Sequence, residues 1–119
     1  MYHYSAYEVA ALRALSDRER DPVLDWAVEY ATDQFVDLLE IVKAHFFAVG
    51  GLGLKVIAQQ AGFSWRDDDP GGLNSQRWFT EAVHGETAAV RAQARQRVLE
   101  YNEDDVMATA QVRRWLRAQ

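Results

Sequence analysis

The sequence predicts a mainly α-helical fold that begins with one β-strand. Apolar residues recur at helical spacing along most of the chain, whereas the only strand-like stretch, Tyr2, His3 and Tyr4, lies at the N-terminus. The 119 residues, 49% of them hydrophobic, are enough for one small domain with a core. Because one strand does not form a sheet, we expect its partner strands to be missing.

Three helices are expected in the first half of the chain. Val9, Leu12 and Leu15 have helical spacing, and Pro22 suits the first turn of a second helix after a charged loop over residues 16–21. Residues 35–47 are almost continuously apolar, which fits either a helix or a short buried strand, and we favour a helix.

In the second half of the chain, the sequence predicts three more helical segments separated by loops. A glycine-rich turn over residues 50–53 precedes a short helix over 54–61, for which Gly62 is the expected C-cap. An irregular loop over residues 63–74 follows, and Ser75 looks like the N-cap of a helix that runs through Val83. The last helical region covers residues 86–118, with a candidate break near Tyr101.

Composition and charge narrow the function classes. The net charge of −5 argues against a basic surface for non-specific polyanion binding, but not against a nuclease site, which is itself acidic. There is no cysteine, which excludes disulfides and thiolate metal sites and favours an intracellular, cytoplasmic location. No apolar run approaches the roughly 20 residues of a membrane span, and the N-terminus does not look like a signal peptide.

The most informative feature is an acid among the apolar residues of the last helix. On a helical projection Val98 and Leu116 point the same way, and Asp105 falls only about 20° from them. Tyr101 is one turn earlier on the same side. A buried acid is costly unless a cation or hydrogen-bond donors hold it, so this carboxylate and phenol could bind a metal ion and orient a water. Alternatively, Asn102 caps a new helix after a break, and Asp105 closes a capping box at the surface.

The spacing Tyr101-x-x-x-Asp105 is similar to the third motif of DEDDy-type 3′–5′ exonucleases. The longer string over residues 101–106, with 108–109 and 115–116, resembles the end of the ribonuclease H-like domain in RecB-like predicted nucleases, which are sometimes joined to helicases. Five further segments agree with that family in the expected order: residues 3–8, 35–39, 53–55, 62–66 and 72–78.

The resemblance implies a fold, a chemistry and partners. Residues 1–119 would be the C-terminal helical portion of an α/β ribonuclease H-like fold, with a residual strand over residues 1–5 and the N-terminal sheet strands missing. Asp105 would be the last acidic ligand of a two-metal Mg²⁺ or Mn²⁺ site, and Tyr101 would position the attacking water. A single-stranded nucleic acid end would be the substrate, and a helicase or a RecB-like nuclease domain could belong to the parent protein.

Three other residues are candidates for the same site. Glu8 occupies the second acidic motif of the resemblance, although an ordinary first-turn acid would also look like this. Lys55 could contact a phosphate, although a surface lysine is the simpler interpretation, and Asn102 is a further candidate substrate contact. Asp37 is better interpreted as a solvent-facing or capping acid, and the four tryptophans as core anchors: Trp26, Trp65, Trp78 and Trp115.

The first acidic motif of the superfamily, Asp-x-Glu on a strand, is missing. Its only match is Asp17-Arg18-Glu19, in a predicted loop after Glu8. We therefore expect a fragment or a truncated product that binds metal weakly and has little nuclease activity alone, because two-metal hydrolysis needs several carboxylates. Two hypotheses stay open: a metal-dependent nuclease domain, acting as a 3′–5′ exonuclease on DNA or RNA, or a catalytically inactive helical module that binds a partner or forms a homo-oligomer through exposed apolar surface.

Overall fold

A computed structural model describes all 119 residues and contains six helices and two short strands. The predicted mainly α class is confirmed. In chain order the elements are β1 (Tyr2–His3), α1 (Tyr7–Glu19), α2 (Pro22–Gln34), β2 (Val36–Asp37), α3 (Leu38–His45), α4 (Leu54–Gln60), α5 (Gly72–His84) and α6 (Ala88–Arg117).

The strand β1 has a partner, contrary to the expectation of a single residual strand followed only by helices. It pairs in parallel with β2, with Tyr2 opposite Val36 and His3 opposite Asp37. The preference for a helix over residues 35–47 is therefore wrong at its beginning. The Asp37 side chain accepts a hydrogen bond from Leu39 N (2.9 Å), so this residue ends the strand and caps α3, as its capping interpretation predicted.

The helices α1 and α2 form a hairpin, and the predicted loop over residues 16–21 is much shorter than expected. Helix α1 continues to Glu19, and it ends where Arg20 takes a left-handed conformation (φ 55°). The side chain of Asp21 then caps α2 by accepting from Val23 N (2.8 Å). Buried Ser16 also donates a short hydrogen bond to Asp25, which ties the two helices together.

A Schellman motif ends α4 and directs the chain towards the candidate site. Gly62 has a φ of +83°, Gly62 N donates to Gln59 O (3.0 Å), and Phe63 N donates to Ala58 O (2.8 Å). The predicted role of Gly62 is confirmed.

The last two helices differ from prediction at their starts and in their continuity. Helix α5 begins at Gly72, so Ser75 is not its N-cap; the Ser75 hydroxyl instead donates to Gly72 O (2.8 Å) inside the helix. Helix α6 begins after its N-cap, Thr87, and runs without interruption to Arg117. The candidate break near Tyr101 is not present.

The core lies where α3, α4 and α6 meet β1 and the residues next to it. Trp78 of α5 is fully buried, and Trp65 and Trp115 pack at the edge of the core, whereas Trp26 is exposed and is not a core anchor. None of the helices combines the length and apolar character that crossing a membrane requires. The core cluster consists of Tyr4, Leu38, Val42, Ile57, Ala58, Ala61, Ala108 and Val112.

Candidate active site

Tyr101 and Asp105 lie one turn apart on the continuous helix α6, on the side that faces the rest of the protein. Tyr101 is buried and Asp105 is half-buried. Because the helix has no break, the alternative in which Asn102 caps a new helix and leaves Asp105 at the surface is wrong. The two groups share one environment, as the projection predicted.

Asp105 is held by an indole rather than by an ion pair. Trp65 Nε1 donates to Asp105 Oδ1 at 2.8 Å, and no arginine or lysine nitrogen forms a salt bridge with the carboxylate. Burial raises the pKa of Asp105, and this effect outweighs the lowering by the Trp65 hydrogen bond, the charge of Lys55 and the Tyr101 hydroxyl. The structure therefore keeps a carboxylate in a place where its charge is poorly solvated.

The Tyr101 phenol is set between aromatic and charged neighbours. Its ring packs against Trp78 at 6.0 Å between centroids, nearly edge to face, and Lys55 Nζ lies 5.4 Å from its centre. Burial raises the pKa of Tyr101, and the negative charge of Asp105 and the interaction with its carboxylate add to that rise. The hydroxyl therefore stays protonated near neutral pH and can act as a hydrogen-bond donor.

The most buried acid of this stretch is Asp104, which the sequence analysis did not single out. Only 7% of Asp104 is exposed, and it accepts hydrogen bonds from Arg66 N (2.9 Å) and Arg66 Nε (2.8 Å). Burial alone would raise the pKa of Asp104, but the hydrogen bonds and charge of Arg66 lower it overall. The projection of α6 by itself could not show that the segment carrying Trp65 and Arg66 covers this side of the helix.

The other predicted site residues are less closely associated. The Glu8 side chain is 52% exposed and lies 3.5 Å from His3 Nδ1. Asn102 is exposed, and its side chain makes no hydrogen bond within the protein. Lys55, by contrast, is half-buried beside Tyr101 and Asp105, so the structure brings Lys55, Tyr101 and Asp105 together.

The residues of this chain do not by themselves fit a two-metal centre. No group of three or more His, Asp or Glu side chains is placed to hold a metal ion. Hard divalent cations take several oxygen ligands, and a two-metal site shares several carboxylates between its ions. Asp105 can supply one such ligand, and its single Trp65 hydrogen bond, to Oδ1, leaves acceptor positions on the carboxylate.

A polar cleft of about 280 Å³ adjoins Tyr101. Its arginines are already paired, because Arg66 binds Asp104 and Glu103 while Arg97 binds Asp67 (2.6 Å) and lies 4.0 Å over the Trp78 ring. The cleft is therefore not a free cationic surface. Its lining consists of Arg66, Asp67, Gln93, Gln96, Arg97, Glu100, Tyr101 and Asp104.

Comparison with known families identifies the superfamily of the chain. The family model RNase_H_2, described as RNase_H superfamily, matches residues 1–117. The chain therefore belongs to this family, and it is a ribonuclease H-like, nuclease-like domain. No curated protein and no solved structure matches the chain.

Proposed function

We propose that this domain is the metal-dependent part of a nuclease, a 3′–5′ exonuclease of the DEDDy type acting on DNA or RNA ends. The observation that carries the proposal is the half-buried Asp105 carboxylate beside the Tyr101 phenol on α6, in a chain of the RNase_H superfamily. Asp105 would be a ligand of Mg²⁺ or Mn²⁺, and the Tyr101 hydroxyl would orient the attacking water.

The pairing of the neighbouring acids supports this role for Asp105. Asp104 is paired with Arg66 and Asp67 with Arg97, so their charges are satisfied within the protein. Asp105 is half-buried and has no ion pair, which leaves its charge partly uncompensated. A carboxylate in such a place gains most from an added cation.

The substrate and the remaining ligands are part of the same proposal. Lys55 forms no salt bridge, and its ammonium lies 5.4 Å from the centre of the Tyr101 ring and near Asp105, where it could contact a phosphate. Asn102 is exposed next to Tyr101 and could contact the nucleic acid as well. Glu8 would be the second acidic ligand. We propose that further carboxylates come from outside residues 1–119, from another segment or from a helicase or RecB-like nuclease domain.

The proposal is tested by measuring Mn²⁺ binding by this chain, and Mn²⁺-dependent release of nucleotides from 3′-labelled single-stranded DNA and RNA by a protein that also supplies the remaining carboxylates. Asp105→Asn should abolish both, because it removes the charge but keeps the shape. The matched control is Asp33→Asn, since Asp33 is exposed and its side chain forms no salt bridge. Mn²⁺ binding and cleavage that are the same in wild type and in Asp105→Asn would refute the assignment.

The alternative, a catalytically inactive interaction module, has one observation in its favour. Phe47 and Val49 are 93% and 99% exposed, beside an apolar groove that includes Phe46, Val56 and Trp115. Large exposed apolar surface is typical of interaction sites. Light scattering on the wild type and on a Phe47→Ser/Val49→Ser variant would show whether this surface holds copies of the chain together.

A further inference from the structure

We infer that the exposed side of α2 binds the exposed face of α6 in a second copy of this chain, so that the protein self-associates. The exposed face of α6 is formed by residues 95, 99, 102 and 106, which follow one another at helical spacing and are all exposed. The inference goes beyond the proposed nuclease function and does not depend on it.

The hairpin of α1 and α2 stands apart from the core. The two helices pack mainly on each other, and no hydrophobic residue of either helix belongs to the core cluster or packs against it. A compact chain of 119 residues has a radius of gyration of about 13.5 Å, whereas that of this chain is 16.5 Å. The hairpin therefore projects from the domain, and the exposed side of α2 is not covered by another helix.

The exposed side of α2 carries an apolar stripe. Val23, Trp26 and Tyr30 have the spacing of one helical face, and all three are exposed. The Trp26 and Tyr30 rings stack with 5.5 Å between their centroids, so the two side chains already hold each other in place. Ordered aromatic side chains lose little conformational entropy on binding, which suits them as anchors of an interface.

Acidic side chains accompany this stripe. Helix α2 contains three acids and no lysine, arginine or histidine. Glu29, one turn from Trp26, is exposed and forms no salt bridge. A negative surface of this kind repels nucleic acid phosphates and anionic lipid headgroups. The surface that covers α2 must therefore combine apolar and basic side chains.

The exposed face of α6 has this complementary composition. Its apolar residues are Leu99 and Val106, which are both exposed. Arg95, one turn before Leu99, is exposed and forms no salt bridge. Glu103, which borders this face, is already paired with Arg66. The face is therefore apolar with an unpaired positive charge at one end.

The two faces also match in spacing. Leu99 and Val106 are seven residues apart, and so are Val23 and Tyr30, so each apolar pair spans about 10.5 Å along its helix axis. Each copy carries both faces, so two copies can make the same contact twice in one closed dimer. Closed dimers of this symmetry are the commonest assemblies of soluble proteins.

The experiment measures the dissociation constant of the dimer by analytical ultracentrifugation. The wild type should dimerise, and Trp26→Ser/Tyr30→Ser should weaken the dimer by about 30-fold or more, as loss of aromatic anchors does in other interfaces. The matched control is Phe79→Ser on α5, because Phe79 and Trp26 are both 61% exposed but Phe79 lies outside both faces. This variant should dimerise as the wild type does. A wild type that stays monomeric at its highest soluble concentration would overturn the inference.

Charge reversal tests whether the two faces meet. Glu29→Arg alone and Arg95→Glu alone each bring like charges together at both contacts, so each variant should dimerise at least about tenfold more weakly than the wild type. In an equal mixture of the two variants, opposite charges face each other at both contacts, and a heterodimer of about wild-type affinity should form. This recovery also shows that both variants are folded. A mixture that associates no better than its components would refute the pairing of α2 with α6.

A further variant separates this contact from the apolar groove beside Phe47. If Phe47→Ser/Val49→Ser dissociates the dimer while Trp26→Ser/Tyr30→Ser does not, the groove holds the copies together and the inference is wrong. The result is also independent of the nuclease assays. A monomeric wild type that binds Mn²⁺ through Asp105 contradicts only the self-association, and a dimer that binds no Mn²⁺ contradicts only the proposed function.

Discussion

Asp104 and Asp105 are neighbours on α6, and the same substitution should change stability in opposite directions at the two positions. Asp104 is nearly buried and paired with Arg66, whereas Asp105 is half-buried without an ion pair. Replacement of each acid by asparagine keeps the size of the side chain and removes its charge. Each variant is therefore the natural control for the other.

The cost at Asp104 can be estimated from its contacts. Each oxygen of the Asp104 carboxylate accepts a hydrogen bond from Arg66. An asparagine offers only one acceptor oxygen, so its amide N–H₂ group would face one of the Arg66 donors. A hydrogen bond to a charged group contributes roughly 1.5–3 kcal/mol, and the half-exposed Arg66 places the loss near the lower end, about 2 kcal/mol. With an unfolding entropy of about 2.1 cal/mol/K per residue, this lowers the Tm of the 119-residue chain by about 8 °C.

The expected effect at Asp105 has the opposite sign. Burial raises the pKa of Asp105, so its charged form costs stability at neutral pH. Asparagine has no charge to bury, and its side-chain oxygen can still accept the hydrogen bond from Trp65. The Tm of Asp105→Asn should therefore be higher than that of the wild type.

The pH dependence follows from the same shifts. The pKa of Asp104 is lowered from its ordinary value of 3.8, so its contribution is fully present above that pH and is lost as pH falls through the lower folded pKa. The advantage of Asp105→Asn is present above the raised pKa of Asp105 and disappears as pH falls and the wild-type acid is protonated. Both differences from wild type should therefore shrink in acid.

The assay is thermal unfolding followed by circular dichroism at neutral pH and near pH 3. An Asp104→Asn variant as stable as the wild type at neutral pH would contradict the ion-pair estimate. An Asp105→Asn variant that is clearly destabilised would contradict the argument that its charge is held at a cost.

Two further predictions concern the framework around the site. Gly85→Ala should destabilise the protein by about 1–3 kcal/mol in urea unfolding, because the added Cβ would lie 2.6 Å from Glu81 O. The control is Gly72→Ala, because a Cβ added at Gly72 would meet no atom within 4 Å. Equal stability of the two variants would contradict the steric argument. Tyr4→Phe should cost about 1–2 kcal/mol, because the Tyr4 hydroxyl donates to Leu52 O (2.5 Å). Burial, and to a lesser extent the charge of Asp37, raises the pKa of Tyr4 to about 12. The contribution of Tyr4 to the stability of the fold is therefore fully present below pH 10 and is lost as the pH rises towards 12. If the stability of Tyr4→Phe declines equally steeply at alkaline pH, Tyr4 is not the cause of the decline.

Sequence periodicity predicted the parts of the fold in which helices bury one face over several turns. It located α1, α2, α4 and α6, and the conformational freedom of Gly62 identified the end of α4. It could not find β2, because a strand of two residues has no periodicity, and the pairing with β1 depends on contacts 34 positions away in the chain. The same limit applies to the start of α5, where Ser75 has the right chemistry for a cap but lies inside the helix.

At the candidate site, the sequence predicted the Tyr101–Asp105 pair and named Lys55 as a candidate, but it did not predict the contacts of Trp65 and Arg66 with α6. Helical spacing places these two side chains together whatever the rest of the fold does. Trp65 and Arg66 reach α6 only because the loop after Gly62 folds back over the helix, and no local pattern encodes that path. Tertiary contacts of this kind also decide that Asp104, rather than Asp105, is the more buried acid.

The two acids show how a small domain can hold a poorly solvated carboxylate. The charge of Asp105 lowers the stability of the fold, whereas Asp104, one position earlier, raises it through its ion pair with Arg66. The loop that Arg66 holds against α6 also carries Trp65, which donates a hydrogen bond to Asp105. Asp104 and Asp105 are thus coupled through the adjacent loop residues Trp65 and Arg66. If this coupling is real, Asp104→Asn should loosen the Trp65 contact as well as destabilise the fold, and the Trp65 indole proton should exchange faster in that variant. Unchanged indole exchange in a folded Asp104→Asn protein would show instead that the two acids act independently.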